Sequence, residues 1–306
     1  MKIVIMGAGG VGGFYGGRMA RGGEDVTFIA RGEHLKALQA HGLHLESPTV
    51  GNFHLPQVNA TDDPARVGPA DLVWMTTKAY DLDGAARAIL PLIGPQTVVI
   101  PLLNGIDNAE RIGAVVGMEH MLGGVVMVSS AIASPGVIRH VSADQLVFGE
   151  LAGGTSARGE AITAMLRGVG IEARLTDDIR TEIWIKYIRL MSMAGVTSLT
   201  RFPMLRLLRH PETRALFIAC VNEGVALARK KGIAIKGDFC ERFVASIEAR
   251  AVETKPSMLL DLERGRRMEL EVFQGAAMRL GRELGVPTPV NAFIHAALVL
   301  HANGRG

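Results

Sequence analysis

The first half of the chain alternates short apolar runs with longer segments that glycine interrupts. Apolar runs rich in Val and Ile, and almost free of charge, are typical of strands that are buried on both faces of a sheet. The pattern predicts strands at KIVIM, DVTFIA, DLVWMTT, TVVIPLL and MLGGVVMV. Because helix-like segments lie between these runs, the first half is predicted to be an α/β domain with a helix-covered parallel sheet.

The pattern changes in the second half. Three shorter β-like stretches, GVIRHV, QLVFGE and EARLT, extend the first domain, and a helical pattern over about 156–168 separates the last two. From Asp177 onward the apolar periodicity is that of helices, and Asp177 and Asp178 are cap-type residues before a long helix. Further helices are predicted at about 211–231, 237–251, 257–284 and 288–303. The sequence therefore predicts a first domain over 1–176, an all-helical domain over 177–306, and a ligand cleft between them.

Composition narrows the class of protein. The chain has 306 residues, 48% of them hydrophobic, and a formal net charge of +3, which gives no indication of a nucleic-acid or membrane partner. Cys220 and Cys240 are the only cysteines, so a disulfide framework is not expected and a cytoplasmic location fits. The nine histidines lack metal-ligand spacing, so no metal is expected.

A glycine-rich loop follows the first predicted strand and precedes a helix-like segment. Its residues are Gly7, Ala8, Gly9, Gly10, Val11 and Gly12, a G-x-G-x-x-G pattern. In this context Gly7 permits a tight turn, Gly9 lets the backbone approach a pyrophosphate, and Gly12 lets the helix pack closely on the strand. A purely structural turn is the alternative. The order of strand, loop and helix favours a Rossmann-like domain that binds a dinucleotide.

The end of the second strand bears on which dinucleotide is bound. NAD sites usually place an acidic residue there, but this strand ends at Ile29, Ala30 and Arg31, and Asp25 lies at its beginning. The guanidinium of Arg31 could pair with a 2′-phosphate, so NADPH is predicted in preference to NADH. A solvated surface arginine is the alternative interpretation.

Two further positions follow apolar runs. Lys78 comes at the end of the run DLVWMTT, and Asn104 follows TVVIPLL. Ligands of parallel sheets bind at the carboxyl ends of strands, so both residues are candidates for cofactor contacts. A solvated charge and an Asn-Gly turn are the corresponding structural alternatives.

The predicted helix after Asp178 carries a lysine among apolar neighbours. Lys186 shares one face with Ile183, Leu190 and Ala194 at spacings of three or four residues. A lysine on such a face either extends its ammonium group to water or acts as a catalytic acid. Farther on, Ser257 follows Pro256 where a helix should begin, and Asp261, Gly265 and Glu269 are spaced four apart. Within a helix over 257–284 these three residues would share a stripe.

Taken together, these motifs resemble the ketopantoate reductase family, the NADPH-dependent 2-dehydropantoate 2-reductases. The similarity covers essentially the whole chain: the glycine loop with Arg31, the T-K-A motif at Lys78, L-N-G at Asn104, W-x-K at Lys186, and Ser257 twelve residues before Glu269. The resemblance implies that Lys186 is the catalytic acid, that Ser257 and Glu269 contact substrate or cofactor, and that Lys78 and Asn104 line the cofactor cleft. It also implies a role in pantothenate and coenzyme A biosynthesis.

The chain departs from the family at the substrate asparagines. The family's helix usually carries asparagines four and eight residues after the lysine and another farther on, whereas this chain has Leu190, Ala194 and Met204. Loss of these amides removes hydrogen bonds that would hold a hydroxylated substrate. The sequence thus predicts NADPH-dependent reduction of a 2-oxo acid, with ketopantoate itself in question.

Other interpretations stay open at this point. One is a related dehydrogenase of the 3-hydroxyacid type, and another is a family member with a different oxo acid. A non-catalytic NADPH-sensing protein and a structural module with a vestigial loop belong to other classes. The expected partner is a small 2-oxo acid, and a homodimer is compatible with such a chain.

Overall fold

The computed structural model describes residues 1–250, 253 and 255–304. The chain divides into two compact units, Met1–Glu182 and Ile183–Gly306. Within the described residues, no helix combines the length and apolar character that a membrane span requires.

The first unit contains both strands and helices. Its strands, in chain order, are β1 (Lys2–Met6), β2 (Asp25–Ile29), β3 (Leu43–Glu46), β4 (Phe53–Leu55), β5 (Asn59–Thr61), β6 (Leu72–Met75), β7 (Val98–Pro101), β8 (Gly123–Ser134), β9 (Val137–Gly149) and β10 (Ala173–Leu175). Its helices are α1 (Gly10–Arg21), α2 (Gly32–His41), α3 (Leu82–Ala88), α4 (Asn108–Val116) and α5 (Ala157–Gly168).

The main sheet is parallel, with strand order β5-β2-β1-β6-β7. Its central strands are the apolar runs of the sequence, and Ile3, Leu72 and Trp74 have no exposed surface. Strands buried on both faces need apolar residues at successive positions, which explains why these runs do not alternate with polar residues. The predicted α/β architecture is confirmed.

One strand prediction requires a correction. The run MLGGVVMV was expected in the parallel sheet, but β8 lies in a second sheet of order β10-β9-β3-β4, where it pairs antiparallel with β9. The stretches GVIRHV and QLVFGE form one continuous strand, β9, rather than two. An irregularity at Ala143, with φ of +58°, lies between them. The periodicity identifies strand-forming residues but carries no information about their partners.

The second unit is helical, as predicted. It contains most of α6 (Ile179–Thr200), followed by α7 (Met204–Arg209), α8 (Pro211–Lys230), α9 (Phe239–Arg250), α10 (Ser257–Glu263), α11 (Ala276–Leu284) and α12 (Pro289–Leu298). The side chain of Asp178 accepts the Thr181 backbone N–H at 3.1 Å and so caps α6, as its residue type indicated.

The predicted helix over 257–284 is wrong, because α10 ends well before Glu269. Gly265 adopts φ of +63°, the Arg266 N–H donates to the Asp261 carbonyl at 2.8 Å, and the Gly265 N–H donates to that of Leu262 at 3.1 Å. This is a Schellman motif, which stops a helix at a left-handed glycine. Asp261, Gly265 and Glu269 therefore do not share a helical stripe, and Gly265 marks a helix end.

Candidate active site

The glycine loop lies at the carboxyl edge of the main sheet. It connects β1 to α1, and the strand ends beside it are in register, since Met6 pairs with Ile29 of β2 and with Met75 of β6. Ligands of open parallel sheets bind at this edge. The loop therefore has the position that a dinucleotide site requires.

The loop glycines differ in what surrounds them. Gly7 has φ of +108°, and a Cβ there would lie 2.9 Å from the backbone nitrogen of Thr77. A Cβ at Gly12 would lie 2.6 Å from Cγ2 of Ile5, so the start of α1 packs directly on β1. At Gly9, by contrast, a Cβ would meet no atom within 4 Å. Open space beside the backbone at the N-terminus of a 12-residue helix suits the pyrophosphate of a dinucleotide.

Gly10 has a packing role that the sequence did not reveal. A Cβ at this position would overlap the backbone oxygen of Ser130, so α1 begins in direct contact with β8.

Side chains also contact the backbone carbonyls of the glycine loop. The Thr76 hydroxyl donates to the Gly7 carbonyl at 2.7 Å. His34, whose ring contacts Ala8, was not among the predicted site residues. A tertiary contact to a backbone carbonyl leaves no local sequence pattern.

The other predicted cofactor residues follow neighbouring strands of the main sheet. Arg31 is exposed two residues beyond the end of the β2 pairing and forms no ion pair with any described residue. Lys78 is exposed after β6, and Asn104 follows β7, where its carbonyl accepts the Asn108 side-chain amide at 3.2 Å. The structure thus brings the glycine loop, Arg31, Lys78 and Asn104 to one edge of one sheet.

In the second unit, the negative charge of Glu269 acts on Lys186. Burial of the ammonium group lowers the pKa of Lys186 to about 8, and the negative charge of Glu269 opposes this shift. Glu269 is only 5% exposed. A lysine with a pKa near neutrality can give up its proton readily, which a fully solvated lysine cannot do. The helical unit therefore contains a pair with the electrostatics of an acid catalyst.

A π-helical turn, Glu271–Gly275, begins two residues after Glu269. The Tyr187 hydroxyl donates to the Phe273 carbonyl at 2.7 Å, and the Gln274 side-chain amide donates to the Met191 carbonyl at 2.8 Å. Both bonds fasten this turn to α6, the helix that carries Lys186. Such turns are frequent at functional sites, and this one was not predicted from the sequence.

The candidate substrate residues occupy different environments. Ser257 is the first residue of α10 and is exposed, and no hydrogen bond joins it to Lys186 or Glu269 within the described chain. Leu190 is half-buried, while Ala194 and Met204 are buried. The positions where the family carries amides are therefore apolar in this unit.

Comparisons with known proteins agree with this geometry. The family profile described as "Ketopantoate reductase PanE/ApbA" matches residues 3–153, and its C-terminal counterpart matches 178–302. A 2-dehydropantoate 2-reductase of Mesorhizobium japonicum is 32% identical over 98% of this chain and 96% of its own.

Solved structures are similar to this chain over nearly its whole length. A PanE/ApbA family ketopantoate reductase from Ralstonia eutropha JMP134 has a TM-score of 0.90 and 32% identity, over 99% of this chain and 98% of its own. D-mandelate dehydrogenase with NADH and anilino(oxo)acetate has a TM-score of 0.89 and 25% identity, with coverage of 99% and 98%. The chain is an oxidoreductase, and it belongs to the ketopantoate reductase family.

Proposed function

We propose that this protein reduces 2-oxo acids with apolar side chains to 2-hydroxy acids, using NADPH. The observation that carries the proposal is the pair formed by Lys186, with its lowered pKa, and buried Glu269, in a chain that also has a dinucleotide-type glycine loop. Family membership supports oxo-acid reduction.

The glycine loop and Arg31 are the residues proposed to hold the cofactor. The backbone N–H groups at the start of α1 would face the pyrophosphate, and the exposed guanidinium of Arg31 would pair with the 2′-phosphate. When bound, NADPH supplies the hydride that reduces the substrate carbonyl carbon. The D-mandelate dehydrogenase structures contain NADH, so the preference for NADPH rests on Arg31.

Lys186 is proposed as the general acid. Its ammonium group would donate a hydrogen bond to the substrate carbonyl oxygen, stabilise the negative charge that develops there, and transfer a proton to it. The product is a hydroxyl group, and the lysine is left as a neutral amine. Glu269 would favour the ammonium form through its negative charge. Ser257 would bind the substrate's carboxylate or hydroxyl group.

The apolar residues on α6 and α7 support a substrate with an apolar side chain. Leu190, Ala194 and Met204 provide no hydrogen-bond donor to a hydroxylated substrate. Buried polar atoms without partners cost binding energy, so these residues should disfavour ketopantoate relative to more apolar oxo acids. The ligand anilino(oxo)acetate in the mandelate dehydrogenase structure is an oxo acid with an aromatic group, which is consistent with this substrate class.

The experiment that tests the proposal measures kcat/KM for NADPH oxidation with ketopantoate and a panel of smaller, apolar 2-oxo acids. We expect higher values for the apolar acids. Leu190→Asn should shift the preference toward ketopantoate, whereas Leu199→Asn, a matched change farther along the same helix, should not. An exclusive preference of the unmodified enzyme for ketopantoate contradicts the substrate class, and inactivity with every 2-oxo acid contradicts the function.

Cofactor choice is tested separately, by titrating the protein with NADPH and NADH. Removal of Arg31 by Arg31→Ala should weaken NADPH binding about tenfold or more and leave NADH binding nearly unchanged, because only NADPH carries the 2′-phosphate. Arg66→Ala removes another exposed arginine of the same unit and serves as the control. If Arg31→Ala weakens NADPH binding and NADH binding equally, Arg31 does not bind the 2′-phosphate.

A further inference from the structure

His34 occupies a position that the proposed reaction does not use. It lies in the first turn of α2, and its ring is half-buried. Nε2 is 2.9 Å from the carbonyl oxygen of Ala8 in the glycine loop. On the other side of the ring, the backbone N–H of Gly136 donates to Nδ1 at 3.1 Å. The ring therefore bridges the loop and the turn between β8 and β9.

These two contacts determine the tautomer of the ring. The Gly136 N–H is a donor, so Nδ1 must be unprotonated, and the Ala8 carbonyl is an acceptor, so Nε2 must carry the proton. Only the neutral Nε2–H form satisfies both partners. Burial lowers the pKa of His34 below its usual value, which favours this neutral form, although the bond to Ala8 opposes the shift.

The bond to Ala8 has a consequence for the next residue. A trans peptide is planar, so the Ala8 carbonyl and the Gly9 N–H point in opposite directions. When the carbonyl is held toward His34, the Gly9 N–H is held away from it. Gly9 is the loop residue beside open space. The contact between His34 and the Ala8 carbonyl is thus linked, through the planar peptide, to the direction in which the Gly9 N–H group points.

We infer that His34 is a positioning residue for the dinucleotide: its Nε2–H group fixes the Ala8–Gly9 peptide so that the Gly9 N–H faces the cofactor's pyrophosphate. The inference rests on the dinucleotide binding proposed above. The remaining loop contacts, from the Ala8 N–H to the Ile29 carbonyl at 3.1 Å and from the Thr76 hydroxyl to the Gly7 carbonyl, do not hold the Ala8 carbonyl. His34 is thus the side chain that sets this peptide's orientation.

Two amide substitutions distinguish the roles of the two ring nitrogens of His34. Glutamine places its amide group near the position of Nε2 and can still donate to Ala8, whereas asparagine places its amide near Nδ1 and cannot. We expect His34→Gln to bind NADPH within about twofold of the unmodified protein and His34→Asn to bind it about tenfold more weakly. His41→Asn changes an exposed histidine of the same helix and should have no effect.

Isothermal titration gives the dissociation constants, and denaturant unfolding of the free proteins gives their stability. Equal NADPH affinity in both His34 variants, whether at the normal level or equally weakened, overturns the inference. An unmodified protein that binds no dinucleotide instead overturns the proposed function.

A measurement on the unmodified protein covers the case in which His34→Asn does not fold. The ring ¹⁵N chemical shifts of His34 should show the neutral Nε2–H tautomer both without and with NADPH. A protonated ring or the Nδ1–H tautomer in the NADPH complex would contradict the inference.

Discussion

The electrostatic effect of Glu269 on Lys186 predicts how the pH dependence of the reaction should change in Glu269→Gln. In the proposed mechanism, reduction needs the ammonium form of Lys186, whose pKa burial lowers to about 8. Below this pH the acid is protonated and kcat/KM should be level. Above it, kcat/KM should fall about tenfold for each pH unit, because the protonated fraction falls by that factor. Oxidation of the 2-hydroxy acid needs the neutral amine, so its rate should rise through the same range.

The substitution removes the negative charge that raises the pKa of Lys186 and keeps the size of the side chain. Burial, which lowers the pKa, then acts without opposition, so the fall in kcat/KM should begin at a lower pH than in the unmodified enzyme. Lowering the pKa of Lys186 by one corresponds to about 1.4 kcal/mol of lost preference for the ammonium form. At a pH well above the pKa, the same change in pKa lowers the reduction rate about tenfold.

The assay is kcat/KM for NADPH oxidation across pH, since this parameter reports the free enzyme's ionisations. A kinetic isotope effect with deuterated NADPH would show, in the same assay, that hydride transfer limits the rate. Glu271→Gln removes an exposed carboxylate two residues away and is the matched control, with an unchanged profile expected. If the Glu269→Gln profile coincides with that of the unmodified enzyme, or moves to higher pH, the coupling of Glu269 to Lys186 does not govern the acid.

Two glycine positions yield predictions about packing. Gly10→Ala places a Cβ against the backbone oxygen of Ser130, so we expect a loss of about 1 to 3 kcal/mol in the free energy of unfolding and weaker NADPH binding, measured by denaturant unfolding and cofactor titration. Gly195→Ala should cost a similar amount, because its Cβ overlaps the fully buried amide of Gln274. Gly84→Ala, in α3 with open space around it, should instead raise stability by up to about 1 kcal/mol. If all three variants have equal stability, these close contacts do not constrain the fold.

The sequence predicted those features that depend on local periodicity and short motifs. The buried strands of the main sheet, the cap at Asp178 and the boundaries of α8 agree with the structure because each follows from nearby residue types. The error at Gly265 shows the limit of this reasoning. A glycine inside a helical pattern is compatible with a continuing helix or with a Schellman end, and the left-handed conformation of Gly265 that distinguishes them does not follow from its residue type.

For the candidate site, too, the sequence pointed to short motifs but not to tertiary contacts. Its motif residues were predicted from spacing and remain predictions, whereas the contacts around them could not be predicted. The bond from His34 to Ala8 joins residues 26 apart, and that from Tyr187 to Phe273 joins residues 86 apart. Such bonds form between a side chain and a backbone carbonyl, and every non-terminal residue offers a carbonyl, so no residue type marks the partner.

The most direct test of the proposed function is single-turnover hydride transfer in Lys186→Met, followed through NADPH absorbance with the enzyme in excess over the cofactor. Methionine keeps an unbranched side chain but has no proton to donate. We expect hydride transfer to slow by about 100-fold or more while the dissociation constant for NADPH stays within about twofold. Lys231→Met, at an exposed lysine, should leave both quantities unchanged. A near-normal rate in Lys186→Met would show that Lys186 is not the acid of this reaction.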